Sequence, residues 1–314
     1  IRLSLVGSEM CIRDRCWVIE MAVDSMLLNA QLARPTVAIV TSVAPAHLSH
    51  YGTVERIARK KSAIFGHMRL GGHAVLRRDM PHYRVVERAA QARGLHVISY
   101  GDHDEADVSL MVAGNGQVRA VVQGEEVSFQ LALPGRHMAV NALGVIATLL
   151  ALELPLDAAL QQFAHMQPLP GRGQRFGAAL QSGGQATVID DAGSASPESM
   201  KAALALLAQA PCAPSQRVAV LGDMLDLGVE AQRYHLELEQ DLLEAAAGRV
   251  FLYGSLMRAL HERLREHTPS HWFDSLDSLS RALEQNLHAG DWVLVKSSAA
   301  TGLGTVVDRL RSAS

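Results

Sequence analysis

The feature that most limits how this chain can fold is its alternation of short β-branched runs with longer stretches of helical periodicity. Repeats of strand, helix and strand build βαβ units around a mainly parallel sheet, because parallel neighbours need a crossover long enough to hold a helix. Residues 17–21, 36–43, 74–76 and 96–100 read as strands, with helical patterns at 53–68 and 81–93. From 107 to 133 the texture changes to short alternating runs with turn signals at Gly114-Asn115-Gly116 and Gly124-Glu125, which predicts an antiparallel ribbon. A long apolar helix follows over 138–152. Residues 168–173 contain two prolines and two glycines, so no helix can run through them and they form the expected linker. The alternation then restarts, with strands near 187–189, 217–221, 249–253 and 292–295 and helices near 197–209, 230–246, 255–266, 276–287 and 301–311. That second series is expected to be a complete α/β domain of its own.

Composition agrees and removes several classes of function. A chain of 314 residues with 48% hydrophobic and 19% charged residues has room for about two globular domains, and disorder is excluded. With 29 Lys plus Arg against 32 Asp plus Glu, the net charge of -3 supplies no basic field for a nucleic-acid backbone. The longest apolar stretch, 142–152, is about half the ~20 residues of a membrane span. Three cysteines, Cys11, Cys16 and Cys212, give neither a disulfide framework nor paired metal-ligand spacing, so a reducing cytoplasm is expected. Residues 5–14 read LVGSEMCIRD and follow neither period. The string, from about 4 to 15, resembles the conceptual translation of a transposase adapter used in sequencing libraries. Residues 1–15 are therefore set aside and native sequence is expected to begin near Cys16.

Lys61 is the most informative single residue. In the helical pattern at 53–68, Val54, Ile57, Ala58, Ile64, Phe65 and Met68 form one apolar stripe; Lys61 lies inside it and Lys60 does not. An inward ammonium is costly, so it needs a lowered pKa, an anionic partner or a route past the stripe's edge. A neutral amine can react with carbon dioxide to give a carbamate, an anion able to bind Mg²⁺. His47 follows the strand at 36–43, at the end where open α/β sheets bind ligands, and Glu20 ends the run at 17–20. Converging, these three groups would suit Mg²⁺ and phosphate oxygens. In the second half, Asp190-Asp191, the stretch Gly222 to Gly228 and Lys296 each follow a strand and point charge toward one crevice. Ser196 before Pro197 is a strong helix start. The four lysines, Lys60, Lys61, Lys201 and Lys296, are not preceded by a phosphate-cradling Gly-rich loop, and Gly302-Leu303-Gly304 lacks a third glycine.

Taken together, these segments resemble the central and C-terminal domains of the Mur ligase family, over nearly everything from Trp17 onward. Ile19-Glu20-Met21 resembles its glutamate segment, Val43 to Leu48 its histidine loop, and Arg56 to Phe65 the helix whose lysine is carbamoylated. Leu133 to His137 with Asn141, Pro170-Gly171-Arg172, Asp190-Asp191, Gly222-Asp223-Met224 with His235, and Gly290-Asp291 through Lys296 follow in family order. The resemblance implies residues 16–170 as a partial central, ATP-handling domain without its P-loop, and 171–314 as a Rossmann-like C-terminal domain. It implies an amide ligase in which ATP phosphorylates a carboxylate and an amine attacks the acyl phosphate. Glu20, His47 and carbamoylated Lys61 would hold Mg²⁺, with Lys61 and His47 also catalytic. Asn141, Arg172 and Asp191 would contact the nucleotide, while Asp223 and Lys296 would face the amine. The implied branch joins a D-alanyl-D-alanine dipeptide, or another amino-acid acceptor, to a UDP-linked muramyl peptide, as a cytoplasmic monomer. Three departures stand out: Gly193-Ser194-Ala195-Ser196-Pro197 replaces a Tyr-Asn-Ala-Asn-Pro loop, Met138 an asparagine and Ser297 a glycine. The family's UDP-sugar domain and P-loop do not precede Glu20, so the chain as written is expected not to catalyse ligation. Two alternatives remain, a ligase for another acceptor of the cyanophycin or polyglutamate synthetase kind, and a non-catalytic nucleotide-binding relative.

Overall fold

The computed structural model describes residues 16–312. Two sheets account for the chain, each with helices on both faces. The first half contains α1 (Met26–Ala33), β1 (Val37–Val40), α2 (Leu48–Tyr51), α3 (Val54–Lys61), β2 (His73–Arg77), α4 (Tyr83–Ala92) and β3 (His96–Gly101), then β4 (Val108–Gly114), β5 (Gln117–Val122), β6 (Glu125–Gln130), α5 (Arg136–Ala151) and α6 (Asp157–Gln162). Its strands lie in sequence order, parallel from β1 to β4 and antiparallel from β4 to β6. The middle of β2 is buried on both faces, as a parallel strand between helical layers must be. Ala30, Ala58, Phe65 and Val86 cover one face with Ala74 and Leu76; Leu143, Ile146 and Ala147 of α5 cover the other with Val75 and Tyr100.

The ribbon at 107–133 forms as expected, and both of its hairpins turn on two residues with positive φ, Asn115 and Gly116, then Gln123 and Gly124. This geometry matches the twist of the paired strands. The second turn falls one residue earlier than its sequence signal.

The second half contains β7 (Gln174–Ala179), β8 (Gln185–Asp191), α7 (Pro197–Ala208), β9 (Arg217–Gly222), α8 (Ala231–Glu244), β10 (Arg249–Tyr253), α9 (Met257–Leu264), β11 (Ser270–Phe273), α10 (Leu276–Asn286), β12 (Trp292–Lys296) and α11 (Gly304–Ser312). The sheet order is β11-β10-β9-β12-β8-β7, parallel throughout except where β7 runs against β8. Apolar clusters fill both faces, one around Leu204, Leu238 and Leu260 and the other around Leu279, Val293 and Val306. Residues 166–173 are irregular between the two halves.

Three expectations need correction. Residues 17–21 form no strand: the stretch 16–22 is irregular, with Trp17 66% and Val18 85% exposed. A strand needs a ladder, and among the described residues β1 is paired on one side only, by β2. The helix at 53–68 stops at Lys61 and tightens into a 3₁₀ segment, Ser62–His67, where the Ser62 hydroxyl donates to the Ala58 carbonyl at 2.8 Å. The edge strands β7 and β11 had no sequence signal, being partly buried, short or glycine-containing. The adapter-like string lies outside the described residues.

Candidate functional site

A cleft of about 360 Å³ lies between the carboxyl ends of the two sheets. The first half contributes Ser42, the loop from Ala44 to His47, and Lys61; the second contributes Gly193 to Ser196, Glu198, Leu225 to Leu227, and Ser298. Open α/β sheets bind ligands at such ends, where loops rather than strands supply the surface.

Lys61 turns inward from the last turn of α3 while Lys60 faces solvent, which settles between the inward and edge positions the stripe left open. Its Nζ donates to the Ser42 carbonyl at 2.7 Å. Burial holds the Lys61 amine below its ordinary pKa, and the negative charge of Glu198 opposes this from across the cleft. Glu198 is open to the cleft but crowded enough that desolvation pushes its carboxyl above the usual range, against Arg77 and Lys61. His47 sits in the left-handed region at φ 54 and starts α2, which turns its ring back over the cleft. Its Nδ1 lies 3.6 Å from Asp226 Oδ2, with both side chains 62% exposed. Such an exposed pair contributes little to stability.

The predicted second-domain residues are pinned from below. Lys296 is 2% exposed; its Nζ donates to Asp191 Oδ2 at 2.6 Å and to the Ser194 carbonyl at 3.0 Å. Burial lowers its pKa, and Asp191 resists that shift. Asp223 is buried at the foot of its loop and accepts the N–H groups of Leu256 and Met257, at 3.3 and 3.1 Å, where α9 begins. The helix start takes the carboxylate, although burial still pushes its pKa up. His235, fully buried, accepts the Met224 N–H on Nε2 at 2.9 Å, which leaves Nδ1 protonated to donate to the Ala231 carbonyl at 2.6 Å. The loop's last apolar residues and Asp226 are thereby held out over the cleft.

Other expected residues stand apart. Asn141 is exposed on α5 and donates only to the Met138 sulfur, at 3.7 Å. Arg172 lies in the linker beside Gly193, and neither it nor Asn141 lines the cleft. Glu20 is exposed on the irregular 16–22 stretch and does not join Lys61 and His47. Among the described residues no three His, Cys, Asp or Glu side chains gather where they could hold a metal ion. His47, Glu198 and Asp226 line the cleft without gathering into one site, so these side chains alone do not assemble the oxygen-rich set Mg²⁺ takes.

Comparison with known proteins identifies the family. The Mur ligase middle domain matches residues 2–149, and the Mur ligase glutamate ligase domain matches 171–299. The chain belongs to the Mur ligase family. Among curated Mur ligases it is similar to the UDP-N-acetylmuramoyl-tripeptide--D-alanyl-D-alanine ligases of Mycobacterium bovis, at 30% identity over 90% of this chain and 59% of the relative, and of Synechocystis, at 31% over 93% and 62%. It therefore spans about three fifths of the length of those relatives. Its fold is similar to that of MurF from Acinetobacter baumannii, with a TM-score of 0.78 and 23% identity over 91% of this chain and 62% of that one. MurF from Thermotoga maritima, solved in complex with ADP, superposes with a TM-score of 0.75 and 22% identity over 91% and 64%.

Sequence reasoning missed Glu198 and Asp226 as parts of this cleft. Glu198, two residues past the Ser196 cap, reads as an ordinary first-turn acid favourable to the helix dipole. Asp226 lay inside the stretch singled out from Gly222 to Gly228, but nothing local shows that it meets His47 from the other half of the chain.

Proposed function

We propose that this chain is the central and C-terminal part of an ATP-dependent amide ligase that adds D-alanyl-D-alanine to a UDP-linked muramyl peptide in the cytoplasm, acting as a monomer. The observation that carries the reading is the cleft itself: a desolvated amine on Lys61 and an imidazole on His47 face the loops of a second α/β sheet across about 360 Å³. The curated relatives named above support the acceptor. No helix among the described residues is long and apolar enough to cross a membrane.

In this reading ATP phosphorylates the peptide carboxylate, the amine attacks the acyl phosphate, and the tetrahedral intermediate collapses to amide and phosphate. The chain's own share is positioning and exclusion of water. Carbon dioxide on the Lys61 amine would give a carbamate, with loss of one proton, and so add the oxygen ligands the cleft lacks for Mg²⁺. Bound Mg²⁺ would offset phosphoryl charge. Asn141, Arg172 and Asp191 are the proposed nucleotide contacts, and the Asp223 loop faces the acceptor. The domains are proposed to divide at 170/171.

The test is phosphate release with ATP, muramyl tripeptide and dipeptide, using the reading frame restored upstream to the relatives' length. Release that requires both substrates and falls at least about 100-fold in Lys61→Ala is expected. Turnover unaffected by Lys61→Ala would overturn the reading. The 314-residue chain alone is expected to show no ligation.

A further inference from the structure

Lys296 ends β12 opposite Asp191, the last residue of β8, and the two side chains meet beneath the loop that walls the cleft. A second bond from the same Nζ, 3.0 Å to the Ser194 carbonyl, fixes the middle of that loop. The next contact reaches the linker: the Gly193 N–H donates to the Gly171 carbonyl at 3.0 Å, and the Gly173 N–H donates to the Asp190 carbonyl at 2.8 Å. No side chain fits at this junction, since a Cβ on Gly193 would stand 2.8 Å from the Gly171 carbonyl oxygen. Lys296 is 2% exposed, directs two of its three N–H groups at acceptors of its own domain, and does not line the cleft.

We propose that Lys296 is a positioning residue: it holds the 192–196 loop, and through Gly193 the linker at Gly171, and makes no contact with the amine acceptor. The inference rests on the ligase reading only in treating the cleft as a ligand site; the bonding chain from Lys296 to the linker stands without it. The charge is what matters, because a packing role would be served equally well by an unbranched apolar side chain of similar volume.

The experiment is amide hydrogen exchange on the 314-residue chain, following Ala192, Gly193 and Gly173 with the amides of Val250–Tyr253 in β10 as the measure of global folding. In Lys296→Met, protection of the loop and linker amides is expected to fall at least tenfold while β10 keeps its own. Lys296→Arg, which retains a cation with several donors, is expected to recover most of the loss. Unchanged loop protection in Lys296→Met overturns the proposal. Should Lys296→Met lose β10 protection as well, the double variant Asp191→Asn/Lys296→Met, which leaves no unpaired buried charge, replaces it with the same two outcomes. Adding D-alanyl-D-alanine separates the two readings. Dipeptide protection of the Asp223 loop that survives Lys296→Met supports the proposal, and its loss with the 192–196 loop still protected overturns it. A dipeptide without effect on the unmodified chain counts against the ligase reading and leaves the exchange result to decide the role of Lys296.

Discussion

His235 shows how a single side chain can carry a loop. Burial lowers its pKa, and its Nε2 must stay unprotonated to accept the Met224 N–H. The unfolded chain takes up this proton near pH ~6.5 and the folded chain resists it, so stability falls as pH drops below that value until the folded pKa is reached. The loss is at most about 1.4 kcal/mol for each unit of pH in that window. Urea denaturation at pH 7.5 and 5.5 checks this, with His235→Gln expected to be weaker at the higher pH and to close part of the gap at the lower. Gly254 makes a second prediction. At φ +108 its built Cβ would stand 2.4 Å from Asp223 Cγ, so Gly254→Ala must push that carboxylate off the start of α9. A cost of about 2 to 4 kcal/mol in chemical denaturation is expected from left-handed strain plus a lost buried acceptor. A stability unchanged within error would mean that the carboxylate is not held there.

At the scale of elements, propensity and packing oppose each other in α5. Gly144 sits mid-helix, where alanine would normally gain about 1 kcal/mol. Yet a Cβ there would meet the Tyr100 ring at 2.9 to 3.1 Å, so the glycine lets α5 lie close on β3. Overpacking of this kind costs about 1 to 3 kcal/mol, which outweighs the helix term. Gly144→Ala is therefore expected to lower the thermal midpoint, and a raised midpoint would show that the ring can yield. The start of α7 works the other way, with local chemistry sufficient: the Ser196 hydroxyl accepts the Ser199 N–H at 3.3 Å, and the Ser199 hydroxyl accepts the Ser196 N–H at 2.8 Å. Replacing Ser196 by Ala is expected to cost about 1 kcal/mol in urea denaturation. That cap was legible in the sequence because every atom it uses lies within four residues.

At the scale of the molecule, the two halves touch across the cleft through few polar contacts. The Ser49 N–H donates to the Asp226 carbonyl at 3.3 Å, and the His47–Asp226 pair lies beside it. Gly228 at φ +62 makes the approach possible, since its built Cβ would be 3.1 Å from the Ser49 nitrogen. Gly228→Val is expected to part the halves at the histidine loop and leave both sheets folded. Small-angle scattering should then give a larger radius of gyration, with hydrogen exchange in β2 and β10 unchanged. An unaltered radius would mean that the close approach at Gly228 is not what holds the halves together.

The sequence by itself determined the two-sheet α/β architecture, the ribbon, the Ser196 cap and the face of its helix on which Lys61 lies, because each is written in a local period or a turn signal. It did not reveal that the run at 17–21 lacks a ladder, that the helix at 53–68 breaks after Lys61, or that Lys296 is tied to its own domain. Those outcomes depend on partners far along the chain: a neighbouring strand, or an acceptor 105 residues away in the case of Lys296 and Asp191. Local periodicity sets which face a side chain takes. Only the tertiary structure decides what waits on that face.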